Sequence, residues 1–529
     1  MPCFVPALSN VNRWRLLKPT RVNEQLTGLD HDPAAAPLAL QIDGSDNVAT
    51  MIADGQAGDV VELAKRPIAL SADIPRGHKL AIRFIAAGTK IFKYGFPIGL
   101  ATADISPGEH VHSHNLKSGL TAGGSYEYCP DLATEPAPVG DLPIFRGYQR
   151  ADGRVGTRNE IWIIPSVGCV GNLAERIARQ AEVRHAGRVD AVRAFKHPFG
   201  CSQLGEDLSR TSKILASLAQ HPNAGGVLML GLGCASNQLA KMLEIIPEDR
   251  RGAIRSMTAQ AEADEMESAL ALVDELVEAA SACQRTEVPL SKLVLGVKCG
   301  GSDGFSGLTA NPLVGRMADR VGEAGGKVIL TEIPEIFGAE QLLMNRSASE
   351  DIFRHTVNLV TGFKAYFTHH GDGLSDNPSP GNIAGGITTL EEKSLGAVQK
   401  GGHVPVVDVK LYGDQAERPG LTLLEAPGND AISSTALTAA GATMILFTTG
   451  RGTPLGFPAP TIKIASNSAL ALQKPGWIDF DAGRVLANGF DEVATGLMAK
   501  ICAIASGEKT AAERNGEHDI AIWKTGVTL

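Results

Sequence analysis

The sequence lacks several features that mark whole classes of protein. In its 529 residues no apolar run approaches the ~18–20 residues that a membrane-spanning helix requires. Basic residues are outnumbered by acidic ones, 49 to 58, and the net charge of −9 argues against nucleic acid or an anionic membrane as a partner. Eight cysteines are too few for a disulfide scaffold. The N-terminus shows no apolar segment followed by a small-residue cleavage site, so we expect a cytoplasmic enzyme.

Aromatic residues are also scarce, at 5%, whereas 59 residues are glycine. Glycine permits tight turns and close backbone approach, so we expect many short loops between buried elements. The hydrophobic fraction of 43% is that of a globular protein, and the length exceeds what one core accommodates. We therefore expect roughly two to four domains.

Composition divides the chain into four parts. Residues 1–35 form an irregular extension, and residues 36–116 contain short strand-like pieces separated by proline and glycine, which predicts a small all-β domain. Residues 117–145 are a linker rich in glycine, proline and serine. From 146 to 529, apolar runs alternate with amphipathic segments. That alternation predicts a large Rossmann-like α/β region with a mostly parallel sheet, in one or two subdomains.

Four cysteines come at or just after the ends of predicted strands, each with a glycine beside it: Cys169, Cys201, Cys234 and Cys299. Ligands bind beyond the carboxyl ends of the strands in parallel sheets, so we expect these thiols to converge on one metal site. The alternative is that each is a small buried hydrophobe. No CxxC pair occurs, so a zinc ribbon is not indicated. His197, just before Cys201, is an acid–base candidate.

Residues 108–115 read GEHVHSHN, with histidine at every second position. Such positions point to one face of an extended strand, which would bring His110, His112 and His114 side by side. We expect this face to be part of a metal or substrate site that closes as a lid over the strand-end loops, with His112 also a catalytic candidate. A bend in the strand would remove one histidine, and His110 ranks third. The alternative is a structural or solvent-facing row of histidines.

Polar residues in the strand-end loops complete the expected site. Glu332 and Glu335 lie at the end of an apolar run, where a carboxylate suits a general base or a metal ligand, or else a helix N-terminal acid favoured by the dipole; Glu332 is the catalytic candidate. The glycine-rich stretch 300–312 precedes a predicted helix, whose backbone N–H groups suit an anion. Lys393 is a further catalytic candidate. Arginine and lysine suit a substrate carboxylate, or are surface charges. The expected substrate contacts are Asn115, Ser302, Asp303, Asn311, Asn382, Arg451 and Lys463.

Many motifs, in order along the chain, carry a family resemblance. GEHVHSHN in a small β domain resembles the SAF-type (β-clip) domain of the altronate and galactarate dehydratases. Six further motifs resemble the larger region of that family: RADGRVGTRNEIWIIPSVGCVGN, HPFGCSQLGED, GLGCASNQ, CGGSDGFSGLTANP, TEIPEIFGAEQLL and DNPSPGNIAGGITTLEEKSLG. KYGFPIG and AIWKTGVTL look most like the altronate-specific members. The similarity extends from about residue 46 to residue 529, and residues 1–35 have no counterpart.

The resemblance implies a hydro-lyase that acts on a sugar acid. The expected reaction removes the C2 proton and the C3 hydroxyl of D-altronate and gives 2-dehydro-3-deoxy-D-gluconate after the enol tautomerises. It also implies Fe²⁺, with Mn²⁺ as a substitute, and a homodimer or larger assembly. A divalent metal would stabilise the charge that builds up when a proton beside a carboxylate is removed. Thiolate and imidazole ligands suit Fe²⁺, and an iron–sulfur cluster on three cysteines is the alternative.

Other functions stay open on the sequence alone. Galactarate or another hydroxy acid is the alternative substrate for a lyase. A nicotinamide-dependent oxidoreductase fits the α/β alternation, although GLGCASN is not the GxGxxG pattern of that class. A sugar-acid-binding protein without catalysis would need only the SAF-type domain, and the four strand-end thiols would then have no function.

Overall fold

The computed structural model describes residues 38–63, 66–120, 124–132, 143–374 and 376–529. The extension expected at residues 1–35 lies outside the described residues, as does part of the expected linker. A β-rich N-terminal part precedes a large region with parallel sheets, which confirms the expected mixed α/β architecture. Within the described chain, no helix is both long and apolar enough to cross a membrane.

The N-terminal part is built from short antiparallel strands. Four strands pair in the order β1-β2-β5-β8 and three in the order β6-β7-β9, while β3 pairs with β4. Aliphatic side chains such as Ile74, Leu80 and Ile98 are fully buried between these small sheets. The strands are β1 Ala39–Leu40, β2 Val48–Met51, β3 Val60–Leu63, β4 Arg66–Ala69, β5 Lys79–Ala81, β6 Lys90–Lys93, β7 Phe96–Ala101, β8 His110–Val111 and β9 Leu116–Lys117.

The histidine row does not lie on one strand face, contrary to the expectation from its spacing. Strand β8 ends at Val111, and the chain then turns. The Asn115 side chain fixes this turn, because its Oδ1 accepts from the His112 N–H at 2.9 Å and its Nδ2 donates to the His110 carbonyl at 3.0 Å. His112 and His114 therefore lie in the turn, and Asn115 has a structural role there.

The middle of the chain contains a parallel sheet in the order β13-β12-β14-β15, beside a small antiparallel sheet in the order β11-β10-β16. Every residue of β12 is buried, as expected for a strand covered on both faces. The strands are β10 Ile144–Gln149, β11 Val155–Gly156, β12 Glu160–Pro165, β13 Val192–Ala194, β14 Ala224–Gly231, β15 Ile254–Thr258 and β16 Arg285–Pro289. The helices are α1 Gly171–Arg184, α2 Gly205–Ala219, α3 Leu239–Ile245 and α4 Glu265–Ser281.

The last part of the chain contains a seven-stranded parallel sheet in the order β19-β20-β18-β17-β21-β22-β23. Strands β18, β20 and β19 lie on one side of β17, and β21, β22 and β23 lie on its other side. Strand order therefore reverses between β17 and β21. The strands are β17 Val294–Cys299, β18 Lys327–Leu330, β19 Val406–Lys410, β20 Gly420–Leu424, β21 Met444–Thr449, β22 Thr461–Ala465 and β23 Phe480–Asp481. The helices are α5 Ala310–Glu323, α6 Glu340–Met344, α7 Glu350–His370, α8 Pro380–Ala384, α9 Leu390–Ala397, α10 Asp430–Ala439, α11 Ser468–Gln473, α12 Val485–Ala505 and α13 Ala511–Arg514.

A buried ion-pair triad joins the N-terminal β part to this last region. Lys79 of β5 and Lys93 of β6 each place an ammonium 2.8 Å from the carboxylate of Glu392 on α9. All three side chains are at most 1% exposed. Lys79 also donates to the Gly386 carbonyl at 2.7 Å. This triad fixes the end of β5, and the histidines next to it, against the segment that follows α8.

Candidate active site

A cavity of about 560 Å³ opens at the carboxyl end of β17, next to the point where strand order reverses in the seven-stranded sheet. Its walls come from the loops that follow β17, β18 and β20, together with α8 and α9. Parallel α/β sheets bind ligands at such a switch point, beyond the carboxyl ends of the strands. Four residues expected from the sequence line the cavity: Cys299, Ser302, Asn382 and Lys393.

An ammonium and a carboxylate lie side by side in the cavity wall. Lys393 Nζ is 2.9 Å from Glu335 Oε1, and both side chains are 8% exposed. Burial favours the neutral amine, but Glu335, Cys299 and Glu332 together outweigh burial and raise the pKa of Lys393 above its ordinary value. Lys393 also donates to the amide oxygens of Asn377 and Asn382, at 3.0 and 3.3 Å. The cavity therefore presents a fixed cation beside a carboxylate.

A buried thiol lies behind this pair. Cys299 Sγ donates to Glu335 Oε2 at 3.2 Å and accepts from Lys400 Nζ at 2.8 Å. Burial and the Glu335 charge raise the pKa of the Cys299 thiol to about 12, although Lys400 acts in the opposite direction. Cys299 is therefore a neutral thiol at neutral pH and holds Glu335 in place by hydrogen bonding.

Glu332 is buried below the cavity in an unusual backbone conformation. Its φ of 65° is in the left-handed region, which costs a non-glycine residue about 1–3 kcal/mol. Its carboxylate pairs with Lys298 at 3.1 Å and Lys400 at 3.3 Å, and accepts from the Cys299 N–H at 2.9 Å. Burial alone would raise the pKa of Glu332, but the two lysines lower it below its ordinary value. Glu332 therefore acts as a permanent anion that positions its neighbours.

Amide groups from α8 complete the wall. Asn382 Nδ2 donates to the Ser302 carbonyl at 2.8 Å, and its Oδ1 forms a capping box with Ser379 at the start of α8. On the opposite side Asp430 pairs with Lys298 at 2.7 Å. Asp430 begins α10, directly after the loop that follows β20. The cavity thus offers a polyhydroxy ligand both hydrogen-bond donors and hydrogen-bond acceptors, from charged and amide side chains.

Several expected substrate contacts lie outside the cavity and have other partners. The Asp303 carboxylate accepts from Ser306, Ser466 and Asn467. Asn311 bonds Thr448 and the Gly396 carbonyl. Lys463 donates to the carbonyls of Thr453 and Leu455, and burial lowers its pKa to about 8. Arg451 is exposed and packs beside Gly301, which lines the cavity.

Four histidines gather where the N-terminal β part meets α8. The ring of His78, which the spacing argument did not include, is stacked on His112 with centroids 4.9 Å apart. His78 Nδ1 lies 3.1 Å from His110 Nε2. His114 adds a fourth ring, 5.5 Å from His110. His112 Nε2 donates to the Ile383 carbonyl at 3.1 Å, which places the cluster against the helix that carries Asn382.

Burial keeps three of the four imidazoles uncharged at neutral pH. Burial, together with the neighbouring histidines, lowers the pKa of His110 to about 3. Burial also lowers the pKa of His78 and of His112. These three imidazoles therefore each keep an unprotonated nitrogen, which is the form that binds a metal ion.

The four strand-end thiols do not share one site. Cys299 belongs to the cavity in the seven-stranded sheet, whereas Cys169 and Cys201 line a separate cavity of about 680 Å³ at the four-stranded parallel sheet. Cys234 is exposed and follows β14 of that same sheet. The physical reason is that the alternating region contains two parallel sheets, so strand ends of the same kind occur at two places.

His197 lines the second cavity but has both ring nitrogens engaged. Its Nε2 donates to the Pro165 carbonyl at 2.7 Å, and its Nδ1 accepts from the Phe199 N–H at 3.2 Å. Burial lowers the pKa of His197, so the ring stays neutral. These contacts give it a structural role, holding the loop after β13 to the end of β12, and not the acid–base role expected from the sequence.

Comparison with known proteins gives the family. Three family models match: the altronate/galactarate dehydratase SAF domain at residues 37–119, the D-galactarate dehydratase/altronate hydrolase second domain at 147–281, and the D-galactarate/altronate dehydratase C-terminal domain at 290–528. The chain belongs to the altronate/galactarate dehydratase family. This confirms the resemblance read from the sequence motifs.

Relatives within the family differ in similarity. The altronate dehydratase of Bacillus subtilis (strain 168) is 47% identical over 495 residues, covering 93% of this chain and 99% of the relative. The altronate dehydratase of Escherichia coli (strain K12) is 46% identical over 493 residues, with the same coverage. The galactarate dehydratase (L-threo-forming) of Escherichia coli (strain K12) is 32% identical over 507 residues, covering 91% of this chain and 95% of the relative.

Sequence reasoning missed the partners that make the family's cavity electrostatically complete. Lys298, Lys400 and His78 were not singled out, and Glu335 was weighed beside Glu332 at the strand end but not chosen as a site residue. Lys298 had a usable signal, because it is the one charge within the apolar run LVLGVK, and a charge on a buried strand needs a partner. His78 had none, because it lies far from the histidine row in sequence and reaches it only through the pairing of β5 with β8.

Two groups of side chains were weighed as holders of the iron expected for this family. In the described part of the chain, Cys299, Glu332 and Glu335 are the only group of three or more histidine, cysteine or acidic side chains whose ligand atoms all lie within 4.8 Å of one another. Three lysine ammoniums already neutralise that group, so it is a poor cation site. In the histidine cluster, His78 Nδ1 and His110 Nε2 lie 3.1 Å apart, and imidazole nitrogens suit Fe²⁺ or Mn²⁺.

Proposed function

We propose that this chain is a hydro-lyase that dehydrates D-altronate to 2-dehydro-3-deoxy-D-gluconate in the strand-end cavity. The observation that carries the proposal is the pairing of Lys393 with Glu335 at the cavity wall, 2.9 Å apart. The reversal of strand order there is the one found in Rossmann-like, doubly wound sheets, and it supports a ligand site at this edge. The 46–47% identity to altronate dehydratases, against 32% to a galactarate dehydratase, favours altronate as the substrate.

Lys393 binds the substrate carboxylate. Its ammonium is fixed by Glu335 and two asparagine side chains, so little freedom is lost when an anion binds. An ammonium–carboxylate contact also withdraws charge from the carboxylate. The proton on the neighbouring C2 carbon becomes more acidic, because the negative charge that develops on its removal is stabilised.

Glu335 takes the C2 proton. It is the carboxylate that lines the cavity next to Lys393, and the Cys299 thiol holds its second oxygen. As the C2–H electron pair forms the C2–C3 double bond, the C3 hydroxyl leaves as water with the proton that Glu335 has accepted. The enol then tautomerises to the 2-keto product, so no external oxidant or reductant is needed. A positioned base of this kind contributes ~10²–10⁴-fold to the rate.

Fe²⁺, or Mn²⁺ in its place, would be held by His78, His110, His112 and His114. The support is the packing of these rings within 4.9–5.5 Å of one another, with Asn115 fixing the turn. When bound, such an ion supplies Lewis-acid stabilisation of negative charge. The carbonyls of Ile383 and Ala384, next to Asn382, connect the cluster to the cavity wall.

The proposal extends to the setting of the enzyme. The seven cysteines in the described residues form no disulfide, and four of them are exposed, which supports a reducing compartment such as the cytoplasm. A homodimer or larger assembly is proposed on the resemblance to the family.

The test is a product assay under anaerobic, reducing conditions with added Fe²⁺, using D-altronate and galactarate in parallel. We expect the 2-keto-3-deoxy product from altronate and a loss of ~10²–10⁴-fold in kcat for Glu335→Gln. Glu340→Gln is the matched control, because Glu340 forms an equally buried pair with Lys364 outside the cavity. Turnover of galactarate alone, or equal kcat values for the two variants, would contradict the proposal.

A further inference from the structure

The four-stranded parallel sheet carries three exposed thiols that the proposed reaction does not use. Cys169, Cys201 and Cys234 are free and exposed. Unpaired cysteine is among the most buried residue types in proteins, so three exposed ones at one place call for a physical reason. They follow β12, β13 and β14, and β12 lies between the other two. This arrangement indicates a ligand-binding edge.

Strand register brings Cys169 and Cys234 to the same level of the sheet. Pro165 of β12 pairs with Leu230 of β14, and each cysteine comes four residues after its strand partner. Neighbouring strands are ~4.8 Å apart. The Ser166 N–H donates to the Leu230 carbonyl at 2.8 Å, so the two loops leave the sheet side by side.

The loop that carries Cys201 crosses the end of β12 and reaches the loop of Cys234. The Gly200 carbonyl accepts from the Asn237 N–H at 3.1 Å, and Asn237 Nδ2 donates to the Ser166 carbonyl at 2.9 Å. The φ of Gly200 is 94°, and a Cβ there would lie 2.2 Å from the Ser166 carbonyl oxygen, so only glycine permits this crossing. The three loops therefore meet above β12.

The spacing of the three sulfurs excludes one tetrahedral ion and suits a larger group. With Zn–S bonds of ~2.3 Å, a single ion holds its sulfurs roughly 4 Å apart. At least one sulfur–sulfur distance exceeds this value, because the three thiols are not a group whose ligand atoms all lie within 4.8 Å of one another. A [4Fe–4S] cubane binds each cysteine through a different iron, which places the sulfurs further apart.

We propose that Cys169, Cys201 and Cys234 bind a [4Fe–4S] cluster whose fourth iron has no cysteine ligand. The three thiols lose their protons on binding, and two Fe²⁺, two Fe³⁺ and four sulfide ions per cluster are supplied from solution, which gives a core of charge +2. Gln260 Nε2 donates to Cys234 Sγ at 3.6 Å, and the Ser202 hydroxyl lies 3.8 Å from Cys201 Sγ, so two ligand sulfurs already have polar neighbours. The proposal does not depend on the dehydration proposed for the other cavity.

The test is anaerobic reconstitution of the full chain with Fe²⁺, Fe³⁺ and sulfide, without substrate. We expect equal amounts of protein-bound iron and acid-labile sulfide, a visible charge-transfer band, and a paramagnetic resonance signal after reduction with dithionite. Cys169→Ser, Cys201→Ser and Cys234→Ser should each lose the sulfide and the band. Cys129→Ser, which removes another exposed thiol, should retain both, and so should His112→Asn, which changes only the histidine cluster.

A second readout uses the unmodified chain and needs no folded variant. Alkylation followed by peptide mass spectrometry should label all three cysteines before reconstitution and none of them afterwards. Bound iron without sulfide, a cluster that persists in the Cys169→Ser, Cys201→Ser double variant, or equal labelling before and after reconstitution would overturn the proposal. A disulfide between Cys169 and Cys201 that survives anaerobic reductant would overturn it as well.

Discussion

Single residues in the strand-end cavity act through the charges that surround them. Glu335 and Glu332 are both buried acids at the end of β18, yet only Glu335 lines the cavity. Glu332 pairs with two lysines and is not among the residues that line the cavity. Of the two glutamates, the proposed mechanism therefore uses Glu335 as the base, whereas the sequence-based prediction chose Glu332.

Replacing Lys393 by methionine tests the proposed carboxylate contact. We expect the KM for altronate to rise about 10–100-fold, which corresponds to the ~1.5–3 kcal/mol of a hydrogen bond between charged groups. The rate constant should fall as well, because Glu335 loses its partner. Steady-state kinetics separates the two effects. Lys364→Met is the control, since Lys364 is as buried but pairs with Glu340; an unchanged KM in Lys393→Met would contradict the assignment.

The histidine cluster forms only because a turn and a strand lie side by side, so a test of the cluster is a test of how these two elements are placed. His78 directly precedes β5, and His112 lies in the turn after β8. We expect His78→Asn to weaken Fe²⁺ or Co²⁺ binding by more than the ~10–100-fold that loss of an outer-shell partner costs. Anaerobic titration calorimetry measures this directly.

The matched control for His78→Asn is His355→Asn, because His355 is exposed on α7. It should bind the metal as the unmodified chain does. If His78→Asn and His355→Asn bind the metal with equal affinity, the metal is held elsewhere. The histidine cluster would then only be a structural part of the contact between the N-terminal β part and α8.

The ion-pair triad at the foot of β5 and β6 predicts a stability effect. Glu392→Gln leaves Lys79 and Lys93 buried without their counter-charge. We therefore expect the free energy of unfolding of the part of the protein that this contact stabilises to fall by ~3–5 kcal/mol. Asp351→Asn, which breaks an exposed pair with Arg354, should cost ~0–1 kcal/mol. Urea unfolding followed separately for each transition measures both. Equal losses would contradict the account.

The same triad makes this contact sensitive to acid. Burial opposes ionisation, but Lys79 and Lys93 hold the pKa of Glu392 far below its ordinary value. A lowered folded-state pKa means that the stabilisation is present above the unfolded value of ~4.3 and is lost as pH falls toward the folded one. The stability difference between the unmodified chain and Glu392→Gln should therefore be constant from neutral pH to about 5 and shrink below ~4.

At the scale of the whole molecule, sequence patterns were enough for the coarse architecture and the family. Periodicity distinguishes short alternating strands from buried parallel ones, and both are present. Periodicity does not say which strands share a sheet. The four strand-end thiols were therefore placed in one site, although Cys299 belongs to a different sheet from the others. His78 was missed for the same reason, since only strand pairing brings it to the histidine row.

The most direct test of the central claim follows the fate of the C2 hydrogen. D-altronate labelled with deuterium at C2 would be incubated with the anaerobic, Fe²⁺-supplemented enzyme, and the product analysed by NMR. A hydro-lyase that uses Glu335 as its base predicts slower turnover of the labelled substrate, release of the label to solvent, and a solvent-derived hydrogen at C3 of 2-dehydro-3-deoxy-D-gluconate. Retention of the label at C3, its transfer to a nicotinamide cofactor, or no conversion of altronate would contradict the account.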